Sequence, residues 1–320
     1  MNTIRLAVDV DSGDYGPRVV LSGIVEARAA LDVPFKVYMC GNRERIEAAA
    51  DEVGGGERLG DVQIVECNDI IDPGDRRASV WKKQTGAAIV RCITLQKEGA
   101  VDASISAGDT AILMGAALFI LGRSEGALRP VLAALLPTVK KKPVLLLDVG
   151  ANLNCRSEHL VSFGILGERY LGRTRKIPSP VVTLLNIGKE AVKGTREIAE
   201  AGVQLRERCS GYGGFIEGND VLTGDADVVV CDGFSGNVLL KACESFHRLA
   251  GSVLGDTASH NDDYKRKMMI LDPDNYGAVP FLGIDGTVLK AHGGSSSRAI
   301  ANAIAAAITA VKSRAVREPM

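Results

Sequence analysis

The chain has 320 residues, with 38 Lys and Arg against 39 Asp and Glu and a formal net charge of −1. Balanced charge excludes a protein built to hold a nucleic-acid backbone, which needs a basic excess, and no apolar run reaches the roughly 18 residues of a membrane span. The seven cysteines are scattered without a CxxC and the four histidines form no HxxxH pair, so neither a disulfide framework nor an imidazole metal site is expected.

In chain order, the run Ile4–Val10 predicts a first strand, and Pro17, suited to a first helical position, opens a helix over Pro17–Ala30. The N-terminus reads as a strand and lacks a basic-then-apolar leader, which points to the cytoplasm. A strand at Phe35–Cys40, a helix from Asn42 and a strand at Val62–Val65 follow, with Gly54-Gly55-Gly56 as a loop and a Pro-Gly turn within Asn68–Arg77. A long helix is expected over Ala78–Lys97, stopped by Gly99. Next come a strand at Val101–Ile105 and a helix over Thr110–Leu121, capped from the Gly108-Asp109 turn. The 137–143 segment reads as a basic surface loop bounded by prolines. A strand at Val144–Leu147 precedes a helix over Ser157–Leu171, with Ser157 as its cap. Strands at Val181–Leu185 and Val228–Cys231 lead to a helical pattern over Ser235–Leu254, which the polar Leu254–Asp274 segment interrupts. A strand at Val288–Leu289 and an Ala-rich helix over Ser295–Val311 complete the chain.

Apolar, β-branched runs alternating with helices predict a mostly parallel sheet buried on both faces. The expected fold is an α/β/α three-layer sandwich forming one domain over 1–320, with an indentation into two lobes allowed. Six strands run into Gly-bearing polar turns: Asp11–Pro17, Ser106–Thr110, Asp148–Asn152, Asn186–Lys189, Asp232–Asn237 and Lys290–Ser295. Strand carboxyl ends in such sheets share a rim where ligands bind. Glycine lets backbone N–H groups approach an anion, and a following helix adds its positive end, so the turns suit a phosphate or phosphate ester. Asp148, Asn152, Asn186, Asp232 and Asn237 read equally as ligand groups or helix caps. Lys193 stands just before a helix, where the dipole disfavours a cation and an anionic ligand would favour it, and it reads equally as a solvated loop lysine. His292 reads as a phosphate contact, an acid or a structural residue. Cys155 and Cys231 suit a buried, inert role better than a nucleophilic one. No GxGxxG follows the first strand, which counts against a nicotinamide-dependent dehydrogenase with Asp9, Asp11 and Asp232 as Mg²⁺ ligands.

These turns, in this order, resemble the bacterial phosphate acyltransferase family of phospholipid synthesis, which converts acyl-carrier protein and inorganic phosphate into acyl phosphate. The resemblance covers essentially the whole chain. It is carried by Leu145–Asn152, Leu184–Gly188 and Val228–Asn237, with Glu217–Asp220, Asn275–Gly277 and Lys290–Gly293. It implies a fold like that of phosphotransacetylases and isocitrate dehydrogenases, a cytoplasmic homodimer, at most peripheral attachment to the inner membrane face, and no cofactor. The implied partners are inorganic phosphate and a thioester of acyl carrier protein or coenzyme A. Lys193, Asn237 and His292 become candidate catalytic residues. Gly13, Asp14, Gly16, Lys82, Lys83, Ser106, Gly108, Asp109, Thr110, Asp148, Asn152, Asn186, Asp232 and Ser235 become candidate substrate- or phosphate-binding residues.

Three turns depart from the family pattern. Tyr15 replaces a histidine, Lys82-Lys83-Gln84-Thr85-Gly86 stands for Lys-Lys-Asp-Ser-Ser, and Asp109 replaces an asparagine. A carboxylate facing phosphate at about 4 Å would cost on the order of 4 kcal/mol per unit charge at an effective dielectric of about 20. The segment between Glu244 and Tyr276 is also shorter and more polar than the family's amphipathic region, which weakens the membrane expectation. The alternatives are a paralogue serving another acyl donor or acceptor, and a non-catalytic subunit that binds the carrier protein.

Overall fold

The computed structural model describes residues 3–72, 79–258, 272–276 and 278–313. The chain divides into two compact units, Met1–Gly126 with Gly277–Met320, and Ala127–Tyr276. It enters the first unit through β1 (Ile4–Asp9), α1 (Gly16–Ala30), β2 (Phe35–Gly41), α2 (Arg43–Glu52), α3 (Gly56–Leu59) and β3 (Val62–Glu66). A 3₁₀ turn at Val80–Lys82, then α4 (Ala88–Lys97), β4 (Ala103–Ser106) and α5 (Thr110–Ile120) follow. The second unit holds β5 (Val131–Leu136), β6 (Val144–Leu147), α6 (Ser157–Thr174), β7 (Val182–Leu185), α7 (Arg196–Arg208), β8 (Tyr212–Ile216), β9 (Val228–Val230) and α8 (Gly233–Ala258). The first unit closes with β10 (Ala278–Leu282), β11 (Thr287–Ala291) and α9 (Ser297–Ser313).

Strands of the first unit lie in the order β3-β2-β1-β4-β11-β10, parallel except for β10. The pairing sets Val8 beside Met39 on one side and Ile105 on the other. Continuous apolar strands need cover on both faces, and helices supply it. Val20, Leu21, Ile24 and Ala27 of α1 share a core with Ile300, Ala303, Ile304 and Ala307 of α9. Ala88, Cys92 and Leu95 of α4 pack with Ala7, Cys40, Cys67 and Val101 in a separate cluster. Strands of the second unit lie in the order β5-β6-β9-β7-β8, parallel except for β5. Here α6 lies tight on the sheet because its contact residues are small: a Cβ on Gly167 would sit 2.5 Å from Leu147 Cδ1 and 2.7 Å from Val228 Cγ1.

The mostly parallel α/β sheet with helices on both sides agrees with the sequence expectation, and the differences have local causes. The helix expected over Ala78–Lys97 begins only at Ala88 among the described residues, because Gly86 N donates to Asp69 Oδ2 at 2.8 Å and Ala87 bridges Asp69. Ser157 is the first helical residue of α6 and Arg156 its cap, with Arg156 N donating to His159 Nδ1 at 3.1 Å. The basic 137–143 loop joins β5 to β6, and its charges are answered by Lys140–Asp225 and Lys142–Asp227 pairs. The polar break expected over Leu254–Asp274 lies mostly outside the described residues, and α8 itself runs to Ala258.

Two glycines test this packing. Gly167→Ala is expected to lower unfolding free energy by about 1–3 kcal/mol through overpacking. Gly251→Ala, with nothing within 4 Å of its Cβ, should raise it by up to about 1 kcal/mol through helix propensity. Urea denaturation of both variants reads the difference.

Candidate functional site

The six turns divide three and three. Those after β1, β4 and β11 follow neighbouring parallel strands of the first unit, and those after β6, β9 and β7 follow neighbouring parallel strands of the second. In each set one buried aspartate organises its own turn and links it to one neighbour, Asp9 to Ser106 and Asp148, through Asn152, to Gly233.

In the first unit this residue is Asp9, 1% exposed. Its Oδ1 accepts the N–H of Asp11 at 3.2 Å and of Ser12 at 3.1 Å, and its Oδ2 accepts the Ser106 hydroxyl at 2.6 Å. Ser106 Oγ in turn accepts Gly108 N at 3.0 Å. Asp14 N donates to Gly293 O at 2.9 Å, which joins the β11 turn to the same group. Gly13 has φ +104°, and a Cβ there would lie 3.2 Å from Ala107 Cβ and from Gly293 O. Gly16, at φ +65°, opens α1 after the exposed Tyr15.

Asp109 caps α5: its Oδ1 accepts Ala111 N at 2.9 Å and Ile112 N at 3.0 Å, with Thr110 as the first helical residue. Asp and Asn cap a helix about equally well, so this departure from the family keeps the local structure. His292 is exposed, and its Nδ1 accepts Gly294 N at 3.1 Å. A neutral ring therefore carries its proton on Nε2. Lys290 Nζ reaches the carbonyls of Ala107 and Ala291. Lys82 Nζ lies 4.8 Å from the Phe119 ring and 5.6 Å from Trp81, and Lys83 follows it in an exposed turn.

In the second unit the organiser is Asp148, fully buried after β6. Its Oδ1 accepts N–H groups of Leu132, Gly150 and Ala151 at 3.2, 3.1 and 3.0 Å. Its Oδ2 accepts Asn152 N at 2.6 Å and Asn152 Nδ2 at 2.8 Å. Asn152 O then accepts Gly233 N at 2.7 Å, which draws the start of α8 onto the turn. Gly236 is required there, because a Cβ would sit 1.8 Å from Asp148 O. Asp232 accepts Ser235 N and Ser235 Oγ, each at 2.8 Å, in the first turn of α8. Asn237 is exposed, with Nδ2 donating to Val149 O at 3.1 Å. An amide nitrogen has a second hydrogen, which remains for a ligand.

Asn186 closes the loop after β7. Its Nδ2 donates to Lys193 O at 3.0 Å and its Oδ1 accepts Ile187 N at 2.9 Å. Gly194, at φ +87°, lies so close that a Cβ would be 2.0 Å from Asn186 Oδ1. Lys193 is half-exposed and pairs with Glu190 Oε2 at 3.1 Å. Burial pushes the Cys231 thiol well up and the Cys155 thiol to about 12, where a thiol is a poor nucleophile. Among the described residues, no group of three or more His, Cys, Asp or Glu is arranged to hold a metal ion.

A family model described as "Fatty acid synthesis protein" matches residues 4–317. The chain belongs to that family. Among its relatives, proteins named phosphate acyltransferase from Desulforamulus reducens and Thermosynechococcus vestitus are each 38% identical, covering 94% and 98% of this chain and 92% and 94% of their own. One from Moorella thermoacetica is 36% identical over 96% of this chain and 92% of its own. Among solved structures, a phosphotransacetylase from Streptococcus pyogenes has a TM-score of 0.63 at 17% identity, covering 98% of this chain and 94% of its own. A branched-chain phosphotransacylase from Enterococcus faecalis has 0.64 at 13% identity, covering 97% and 99%. At those identities the structures speak to fold alone.

This member of the fatty acid synthesis family thus keeps its polar turns through two buried carboxylates, of which Asp9 in this role was not singled out by its sequence. The signal was available: an aspartate set among the apolar residues Leu6, Ala7, Val8 and Val10. Burial raises both carboxyls above the usual range, while hydrogen bonds from Ser106 and Ser12 at Asp9, and from Ala151 and Asn152 at Asp148, pull against it. A raised folded value means the folded state holds its proton to higher pH than the unfolded chain. The contribution of each carboxyl is therefore fullest below the unfolded value of about 3.9 and is lost as pH rises through the folded value. The stability of the wild type relative to Asp9→Asn is expected to be greatest near that value and to shrink as pH rises. A difference that grows with pH would contradict this assignment. Asp148→Asn sets an NH₂ group against N–H donors, and denaturant titration should show a loss of about 2–4 kcal/mol.

Proposed function

We propose that this chain transfers an acyl group from a thioester of acyl carrier protein to inorganic phosphate, releasing the thiol and forming an acyl phosphate. The observation that carries this reading is the match to proteins named phosphate acyltransferase along nearly the whole of both chains. The geometry supports it. Phosphate oxygen is already anionic, so it needs no base and can attack the thioester carbonyl directly. The new C–O bond forms as the C–S bond breaks, and the electron pair leaves on sulfur. Lys193, held by the Asn186 loop, exchanges Glu190 for phosphate. The second N–H of Asn237 donates to the oxyanion that develops on the carbonyl. In the first unit His292, with its proton on Nε2, is the candidate acid.

Asp109 bears on the alternative acceptor. Its carboxylate is spent on the N-terminus of α5, where the helix dipole offsets its charge, so the change from asparagine is compatible with phosphate. We further read the protein as a cytoplasmic homodimer with at most peripheral membrane contact. Among the described residues no helix is long and apolar enough to cross a membrane. Phe234, Val238, Phe246, Leu249 and Val253 of α8 are exposed at helical spacing on one face, a surface suited to a second copy.

Hydroxylamine trapping with inorganic phosphate and a panel of acyl-carrier-protein and acyl-coenzyme A thioesters tests the reaction. Phosphate-dependent hydroxamate is expected, with turnover falling about a hundred- to a thousand-fold in Asn237→Ala and lost in Lys193→Ala. Near-full turnover in Asn237→Ala would remove the oxyanion role, and silence from a folded protein across the panel would remove the reaction.

A further inference from the structure

We propose that Gly188 is a positioning residue for phosphate: its bare backbone seats the Lys193 side chain, and phosphate binds there in place of the Glu190 carboxylate. The inference rests on Lys193 as the cation that takes phosphate and names what places it. Gly188 is buried between the exposed Ile187 and Lys189. The Lys193–Glu190 ion pair lies directly against it. A Cβ on Gly188 would run into Lys193 Cδ and sit 2.8 Å from Glu190 Oε2 and 2.9 Å from Lys193 Nζ. Its φ lies outside the left-handed region, so the turn itself does not require glycine. What glycine supplies here is room for the lysine.

The arrangement is that of an anion seat filled from within. The Glu190 carboxylate accepts its own backbone N–H and pairs with Lys193 Nζ at 3.1 Å, and both contacts hold its carboxyl below the usual range. Both side chains are exposed, and exposed pairs are weak, so a phosphate dianion can displace the carboxylate. The main chain of Lys193 is fixed separately: Asn186 Nδ2 donates to Lys193 O at 3.0 Å, and Lys193 N donates to Glu190 O at 3.1 Å. The loop's other lysine is engaged elsewhere. Lys189 Nζ lies 2.7 Å from Asp220 Oδ2, and Glu217 and Asp225 add to the negative charge it meets. Phosphate over Gly188 therefore gains Lys193 and is opposed by the displaced Glu190.

Kinetics, melting and lysine labelling of the full-length protein test the assignment. Gly188→Ala is expected to raise KM for inorganic phosphate about 10-fold and to leave KM for the thioester unchanged. It should keep or raise the Tm, because the flexible lysine can swing away and alanine restricts the unfolded chain. Glu190→Gln should lower KM for phosphate, most at low salt. An unchanged phosphate KM in Gly188→Ala would mean an idle gap, and a lowered Tm would mean a role in the fold. Either overturns the proposal, as does a phosphate KM that fails to fall in Glu190→Gln. Competitive acetylation with acetic anhydride, read by mass spectrometry with Lys189 as reference, separates the seat from the reaction. Inorganic phosphate should protect Lys193 in the wild type and not in Gly188→Ala. If the wild type makes no acyl phosphate, that pattern upholds the seat while the acyl-transfer reading falls. No protection in the wild type would overturn the seat itself.

Discussion

A carboxylate cannot be buried alone, and Asp148 shows what that constraint builds. Taken from water without partners, its charge would cost far more than a domain's net stability. Three backbone N–H groups and both nitrogens of Asn152 answer it, so the backbone after β6 has to curl around the carboxylate. Asn152 O then takes Gly233 N, and α8 starts against the turn. Asp9 does the same with fewer donors, binding the turn after β1 to Ser106 at the end of β4. The buried charges set the turns, and the turns set which polar groups face outward.

What faces outward is mostly neutral. In the second unit Asn237 presents an amide hydrogen and Lys193 a cation paired to Glu190, and in the first unit His292 presents an imidazole N–H. Groups of this kind hold an anion by modest contacts, without a cluster of fixed charge. A substrate whose oxygen is already a nucleophile and a leaving group as good as thiolate ask for little more than alignment and oxyanion support. The acyl transfer named for the relatives is the reaction that this inventory serves best.

Much of the fold was legible because its parallel strands advertise themselves: β-branched runs such as Val228–Val230, each ending in a glycine-bearing polar turn. Three strands were hidden for physical reasons, the antiparallel β5 and β10 and the parallel β8. Val131–Leu136 is Leu- and Ala-rich and suits a helix equally, Ala278–Leu282 contains Pro280, and Tyr212–Ile216 contains two glycines, residues depleted in strands. The break before Ala88 depends on Asp69, 17 residues upstream of the Gly86 it holds, and no local pattern reports such a partner. At the site, polar types at strand ends were readable, but their division of labour was not. Asp148 and Asn152 face inward to bind the chain itself while Asn237 faces solvent, and the choice rests on burial that only packing decides. Asp109, which read as a threat to phosphate, spends its charge on a helix end.

The central claim is that phosphate itself takes the acyl group. Phosphorus NMR during a single turnover of an acyl-carrier-protein thioester, with the released thiol counted in the same sample, tests it most directly. One acyl phosphate for each thiol, and no thiol without phosphate, is the result predicted here. Thiol released in the absence of phosphate, or released without acyl phosphate appearing, would contradict it.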